Sequence, residues 1–211
     1  MDFLRFIRSC AVCGSFMPPT DWLCSHCWRF LEKEYLSSQD VFRLENTLPH
    51  FRLFDWYEEN DLFMRRFVSS LKGGGPNFIF KRMALECFPR FLYTRGFPKK
   101  TNFVFVPAPS RSPNRPDHAL ELARAFGFYF GGEVYSVLQR VSRFSQKLKN
   151  KSERSQIQIL SNKSLKNKNV IFIDDILTTG ATARAAFKAM GCPKKFVICT
   201  LAWKRLSIPT S

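Results

Sequence analysis

The sequence predicts an α/β protein built on a parallel sheet and preceded by a small metal-stapled module. Three observations carry that expectation. Val170 Ile171 Phe172 Ile173 is an apolar run of the kind shown by parallel strands covered on both faces, and an Ala-rich helical pattern begins just after it at Gly180. Phe103 Val104 Phe105 Val106 is a second such run, stopped by Pro107 and Pro109 and followed by another helical pattern. Ahead of both stand two CxxC pairs, Cys10 with Cys13 and Cys24 with Cys27. A chain of 211 residues can hold one full domain plus such a module, which sets the expected division at 1–45 and 46–211.

The two cysteine pairs are separated by ten residues. Each pair can present two thiolates from one tight knuckle, and four thiolates close the tetrahedron of a structural Zn²⁺ with no position left for water. Gly14 suits the first turn. His26, inside the second pair, reads as a solvated neighbour rather than a ligand. Cys87, Cys192 and Cys199 fall in apolar surroundings and read as core residues. The metal would supply stability that a segment of about 40 residues cannot draw from its own core.

Next along the chain, Asp61 to Lys72 reads as a helix with Leu62, Phe63, Phe67 and Leu71 on its inner side, stopped by Gly73, Gly74 and Gly75. Pro76 opens a second helix whose inner residues are Phe80, Met83, Ala84 and Cys87. After the strand at Phe103, helical spacing of Ala119, Leu122, Ala123 and Phe126 predicts a helix from Asp117 to Phe128. Strands near Glu133 to Leu138 and Phe196 to Trp203 complete the expected sheet, and Ser207 to Ser211 form a loose tail. Arg5 and Arg8 interrupt the N-terminal apolar residues, so no signal peptide or transmembrane segment is expected. Seven cysteines, four of them arranged for metal, fit a cytoplasmic setting.

The net charge of +16 is lopsided. Residues 1–62 carry 6 basic and 10 acidic side chains, whereas residues 63–211 carry 27 basic and 7 acidic. Between 140 and 169, nine Lys or Arg face the single acid Glu153. Such a field attracts polyanions. Nucleic acid is the expected partner, with Arg140, Arg143, Phe144, Lys147, Lys149, Lys151 and Arg154 as candidate nucleic-acid-binding residues. Phe144 among the cations offers a base a ring to stack on. The competing reading is a basic composition without a polyanion.

The segment Asp174 Asp175 Ile176 Leu177 Thr178 Thr179 Gly180 Ala181 Thr182 carries the chemistry. Ligands of open α/β sheets bind at the carboxyl ends of strands. The hydroxyls of Thr178, Thr179 and Thr182 and the amides of a helix N-terminus suit a phosphate, and Gly180 lets the backbone approach it. Asp174 and Asp175 would repel that phosphate, but suit the hydroxyls of the sugar that carries it, or a Mg²⁺ beside it. A P-loop is excluded, because Gly73 Gly74 Gly75 leads into Pro76 and Asn77 rather than Lys and Ser. An ordinary Thr-capped turn would explain one Thr but not the acid pair.

That segment resembles the phosphoribosyl pyrophosphate (PRPP) motif of type I phosphoribosyltransferases, and with the Cys₄ finger ahead of it the chain resembles the ComF family of competence proteins. The resemblance implies a phosphoribosyltransferase-like domain that binds PRPP with Mg²⁺. Asp174 and Asp175 would take the ribose hydroxyls and any catalytic role, and Thr178 to Thr182 the 5′-phosphate. Val106 Pro107 Ala108 Pro109 resembles the family's pyrophosphate loop, which makes Ser110, Arg111 and Arg115 candidates for that end of the ligand. The chain reads Arg115 Pro116 Asp117 His118 Ala119 where the family reads RGFNQ. Arg143 to Lys147 and Lys151 to Arg154 resemble a flap over the site, against the plainer reading of a solvated basic loop. Membership implies handling of single-stranded DNA during natural transformation, with other competence or DNA-processing proteins as partners. The alternative is a working transferase acting on a nucleobase or nucleotide.

Overall fold

The structure, a computed structural model, describes residues 8–17, 23–35, 42–44, 48–57, 61–72, 102–110, 117–141 and 158–205. In chain order these form β1 (Arg8–Ser9), β2 (Phe16–Met17), α1 (Ser25–Tyr35), β3 (Phe42–Leu44), β4 (Leu48–Tyr57), α2 (Leu62–Lys72), β5 (Phe103–Pro107) and α3 (His118–Phe130). Then follow β6 (Glu133–Val134), β7 (Leu138–Arg140), β8 (Ile159–Ser161), β9 (Asn169–Leu177), α4 (Ala181–Ala189) and β10 (Lys195–Arg205). The helix expected from Pro76, together with Cys87, lies outside the described residues.

The main sheet has six strands in the order β3, β4, β10, β9, β5, β6. The five from β4 to β6 are parallel, and β3 pairs antiparallel with β4 at one edge. Val170, Ile171, Phe172 and Ile173 are wholly buried because β9 is central and covered on both sides. On one face Ile171 and Ile173 pack with Leu122, Ala123 and Phe126 of α3. On the other, Val170 and Phe172 pack with Ala183, Ala186 and Met190, from α4 and its C-terminus. From β5 the chain crosses to β6 in one direction, and from β9 to β10 in the other. Right-handed crossovers in opposite directions put their helices on opposite faces, and the crevice between the two starting strands becomes the switch point of the sheet.

The N-terminal module joins the α3 face. Cys10, Val12, Met17, Leu23, Cys27 and Leu31 belong to one buried cluster with Leu53, Phe54, Met64 and Phe67. The rings of Phe30 and Phe63 lie 4.9 Å apart, and Arg66 donates to the Val12 carbonyl at 3.3 Å. The apolar core therefore runs without interruption from the cysteine module into the sheet.

Four expectations need correction. The inner face of α2 is Met64, Phe67 and Val68 with Phe63 packed against the same core as expected, but Leu62 is 60% exposed in the first turn after the Asp61 cap. The stretch 133–138 is not one strand. Pairing with β5 ends where the Tyr135 amide donates to the Phe105 carbonyl at 2.8 Å, and Leu138 to Arg140 instead pair antiparallel with Ile159 to Ser161. Cys192 is exposed, in a turn with φ of 57°, whereas Cys199 is buried as expected. The strand β4 and its edge partner β3 were not foreseen. Among the described residues no helix is long and apolar enough to cross a membrane.

Candidate functional site

The pairing of β5 with β9 stops at Pro107 and Ile173, where the Ala108 amide still donates to the Ile173 carbonyl at 2.7 Å. β9 itself continues to Leu177, held on its other side by β10. Asp174 and Asp175 thus stand inside a strand rather than in the loop the sequence suggested, at the first residues past the end of β5. The topology puts them at the carboxyl-terminal end of the sheet, beside the switch point between β5 and β9.

The two carboxyl groups lie close enough to act directly on one another. Each accepts a hydrogen bond from the next backbone amide, Asp175 N to Asp174 Oδ1 at 2.9 Å and Ile176 N to Asp175 Oδ1 at 2.7 Å. Burial first, and the neighbouring Asp175 carboxylate second, push Asp174 well above the ordinary carboxylate range, while the Arg140 guanidinium pulls the other way. Charge on Asp174 is therefore held against a gradient that a cation or hydroxyl donors would relieve.

Beyond Leu177 the chain turns through exposed Thr178 and Thr179 to Gly180. Gly180 is the N-cap of α4, has φ of 75°, and gives the helix no side-chain cap. The backbone donors of the first turn are left for another acceptor, apart from a 3.4 Å contact between the Ala181 amide and Thr179 Oγ1. Gly180 is also enclosed: a Cβ there would meet both Cδ atoms of Leu44, the nearer closer than any real contact. Two cations flank the turn. Arg140 Nη2 approaches Thr182 Oγ1 at 3.4 Å, and Arg184 Nη1 donates to the Thr179 carbonyl at 2.9 Å.

The structure therefore brings Asp174, Asp175, Thr178, Thr179, Gly180, Ala181 and Thr182 together at one strand end. Ser110 is exposed and lies three residues past the end of the neighbouring β5. Arg140, grouped in the sequence with the nucleic-acid candidates, touches this turn. Arg111, Arg115, Arg143, Phe144, Lys147, Lys149, Lys151 and Arg154 lie outside the described residues. Sequence reasoning missed Arg184 and Leu44. Arg184 is legible in hindsight, one helical turn after Gly180; Leu44 belongs to a strand with no periodic signal.

The sulfurs of Cys10, Cys13, Cys24 and Cys27 lie within 4.8 Å of one another, and Cys13 Sγ is 3.7 Å from Cys24 Sγ. The edge of a tetrahedron with Zn–S bonds of about 2.3 Å is about 3.8 Å, so the cluster fits a metal such as zinc. Gly14, with φ of 77°, closes the first knuckle as its amide donates to the Cys10 carbonyl at 2.9 Å. The Cys24 amide points at Cys10 Sγ and the Cys27 amide at Cys24 Sγ, both at 3.4 Å, orienting the sulfurs from outside. The Ser15 hydroxyl holds the Cys13 thiol down at about 6, while burial pushes Cys27 up. His26 is exposed and stands outside the cluster.

No family model matches the chain, and no curated protein matches it. Among solved structures, the purine phosphoribosyltransferase from Pyrococcus horikoshii Ot3 is similar over 63% of this chain and 80% of that one, at 19% identity and a TM-score of 0.39.

Proposed function

We propose that the chain binds phosphoribosyl pyrophosphate at the carboxyl end of β9, as a phosphoribosyltransferase-like protein of the ComF type. The observation that carries the reading is the single strand end at which two carboxylates lead into a Thr-Thr-Gly turn, with the helix amides beyond it left uncapped. The 5′-phosphate sits on the amides of Thr179 to Thr182 and the hydroxyls of Thr178, Thr179 and Thr182. Arg140 and Arg184 supply its countercharge. Asp174 and Asp175 take the ribose hydroxyls, and Ser110 with Arg111 the pyrophosphate. Both carboxylates are hard oxygen donors of the kind Mg²⁺ takes, and the ion would offset the pyrophosphate charge. Zinc in the Cys10, Cys13, Cys24 and Cys27 cluster is structural, the expected role of a four-thiolate site.

The basic excess of residues 63–211 supports a second partner, single-stranded DNA, handled in the cytoplasm during natural transformation. Calorimetry with PRPP and Mg²⁺ tests the first part: the wild type should bind and Asp174→Ala should not. Titration of a labelled oligonucleotide and transformation of a deletion strain test the second, and normal transformation in that strain would refute the pathway. Release of pyrophosphate on adding a nucleobase would assign a working transferase instead.

A further inference from the structure

We propose that the edge of the sheet opposite the Asp174 to Thr182 turn is a docking surface for the sugar-phosphate backbone of a single-stranded nucleic acid, separate from the site for PRPP. The proposal rests on the nucleic-acid part of the function above and not on its PRPP part.

The register of the sheet defines this edge. Lys195, first in β10, is level with Asn169, first in β9, which is level with Phe103, first in β5. Lys168 immediately precedes β9. The loop before it is tied to the end of α4: the Lys194 amide donates to the Lys166 carbonyl and the Leu165 amide to the Met190 carbonyl, each at 2.9 Å. Lys188 lies in the last turn of α4. Lys166, Lys168, Lys188, Lys194 and Lys195 are all exposed, and none forms an ion pair among the described residues.

The sequence around them contains no acid from 158 to 172 or from 186 to 205. Glu133, at the start of β6 on the same edge, is engaged by the Tyr135 hydroxyl at 2.6 Å. Clustered like charges without counterions repel one another, and a polyanion relieves that repulsion while releasing its own counterions.

Exposed rings lie at the same end of the sheet as the lysines. α3 runs back to this edge, where Gly132, just past its end, abuts the Phe103 carbonyl. Phe128 is 83% and Tyr129 50% exposed in its last turn. A phosphate-tracking row of cations beside exposed rings is the arrangement that holds single strands, because every base has a face to stack. The nucleic-acid reading above favours a single strand here, and binding to an anionic lipid surface is one outcome of the test. β9 spans nine residues from this edge to the phosphate turn, about 25 Å, too far for one nucleotide to touch both.

The test uses the full chain, labelled oligothymidylate and fluorescence anisotropy across a salt series. Lys166→Glu, Lys168→Glu, Lys194→Glu and Lys195→Glu combined should weaken binding by more than about 100-fold. The combination should also flatten the log–log salt slope by about 3, from the roughly 0.7 lost per phosphate contact. The four matching Lys→Gln changes, milder for folding, should flatten it likewise, while Lys33→Glu on α1 should not. Phe128→Ala should cost roughly tenfold, as loss of one stacking platform does. PRPP binding by calorimetry should be unchanged in all variants. An unaltered salt slope in the Glu and Gln sets, absence of oligonucleotide binding by the wild type, binding to phosphatidylserine vesicles in its place, or joint loss of PRPP binding in the Gln set would each overturn the proposal. The first three leave the PRPP reading standing.

Discussion

His50 Nε2 on β4 lies 2.8 Å from Thr200 Oγ1 on β10, and both side chains are wholly buried. Thr200 donates its one proton to the Ala202 carbonyl at 3.2 Å, so at the shorter contact it accepts, and the His50 proton is on Nε2. Thr200 stands level with Arg52 on one side and Asp174 on the other. Arg52 is in turn gripped by Asp55 at 2.6 Å and covers the ring of Trp203 at 4.9 Å. A neutral hydrogen-bonded pair thus lies in the sheet beside a guanidinium and the acid pair.

Neutral His50 should make the fold acid-sensitive. Burial, and secondly the Arg52 charge, hold it down at about 3, whereas the unfolded side chain titrates near about 6.5. Between those values the unfolded chain binds the extra proton, so the contribution is complete above about 6.5 and is lost as pH falls toward 3. Each pH unit in that window costs about 1.4 kcal/mol from this group. His50→Gln keeps a donor for Thr200 and should remove that part of the slope in urea unfolding at pH 7, 6 and 5. Equal slopes in the two proteins would show that His50 is not the group responsible.

Asp174 should trade stability for binding. Its carboxylate is disfavoured by burial and by Asp175, so Asp174→Asn should stabilise the unliganded protein at neutral pH. A gain of about 1 kcal/mol would raise Tm by about 3 °C in a chain of this size. The same change should remove PRPP binding in calorimetry. A variant that lost both stability and binding would mean that Asp174 is a structural residue.

The parts of this protein that were legible share one property: a local pattern that no tertiary contact overrides. Val170 to Ile173 had to be a central strand because four apolar residues in succession need cover on both faces. The cysteine spacing gave the cluster for a similar reason, since knuckle geometry is local. β4 was hidden because His50 and Arg52 break its apolar run, and it takes partners such as Thr200 and Asp55 from the folded chain to make them compatible with burial. Leu62 was put on the wrong face because periodicity alone does not fix the rotation of a helix about its axis. Arg140 looked like one cation among nine, and only its place at the end of β7 brings it to Thr182.

Gly180 is needed twice over, for its positive φ and for the room that Leu44 takes. Gly180→Ala should cost about 1–2 kcal/mol from backbone conformation alone, and more from the collision. Leu44→Ala in the same chain should relieve the collision and not the backbone term, a non-additivity that urea unfolding of the four-protein cycle reads directly. PRPP affinity should fall in both Gly180→Ala proteins, because the turn can no longer present its amides. Strict additivity would mean that the turn moves aside freely.

Removing the metal should destabilise the whole chain rather than release a loose finger. Cys10 and Cys27 are buried in the cluster that includes Leu53, Phe54, Met64 and Phe67, so the sulfurs stand at the end of a core shared with β4 and α2. The purified protein should contain about one zinc per chain. Stripping it with a chelator should lower Tm in one cooperative transition and expose thiols to alkylation, Cys13 and Cys24 ahead of the buried pair. Cys27→Ser should reproduce both effects without chelator. A protein free of zinc as purified, with Tm indifferent to chelator and to Cys27→Ser, would show that apolar packing alone holds the module to the sheet.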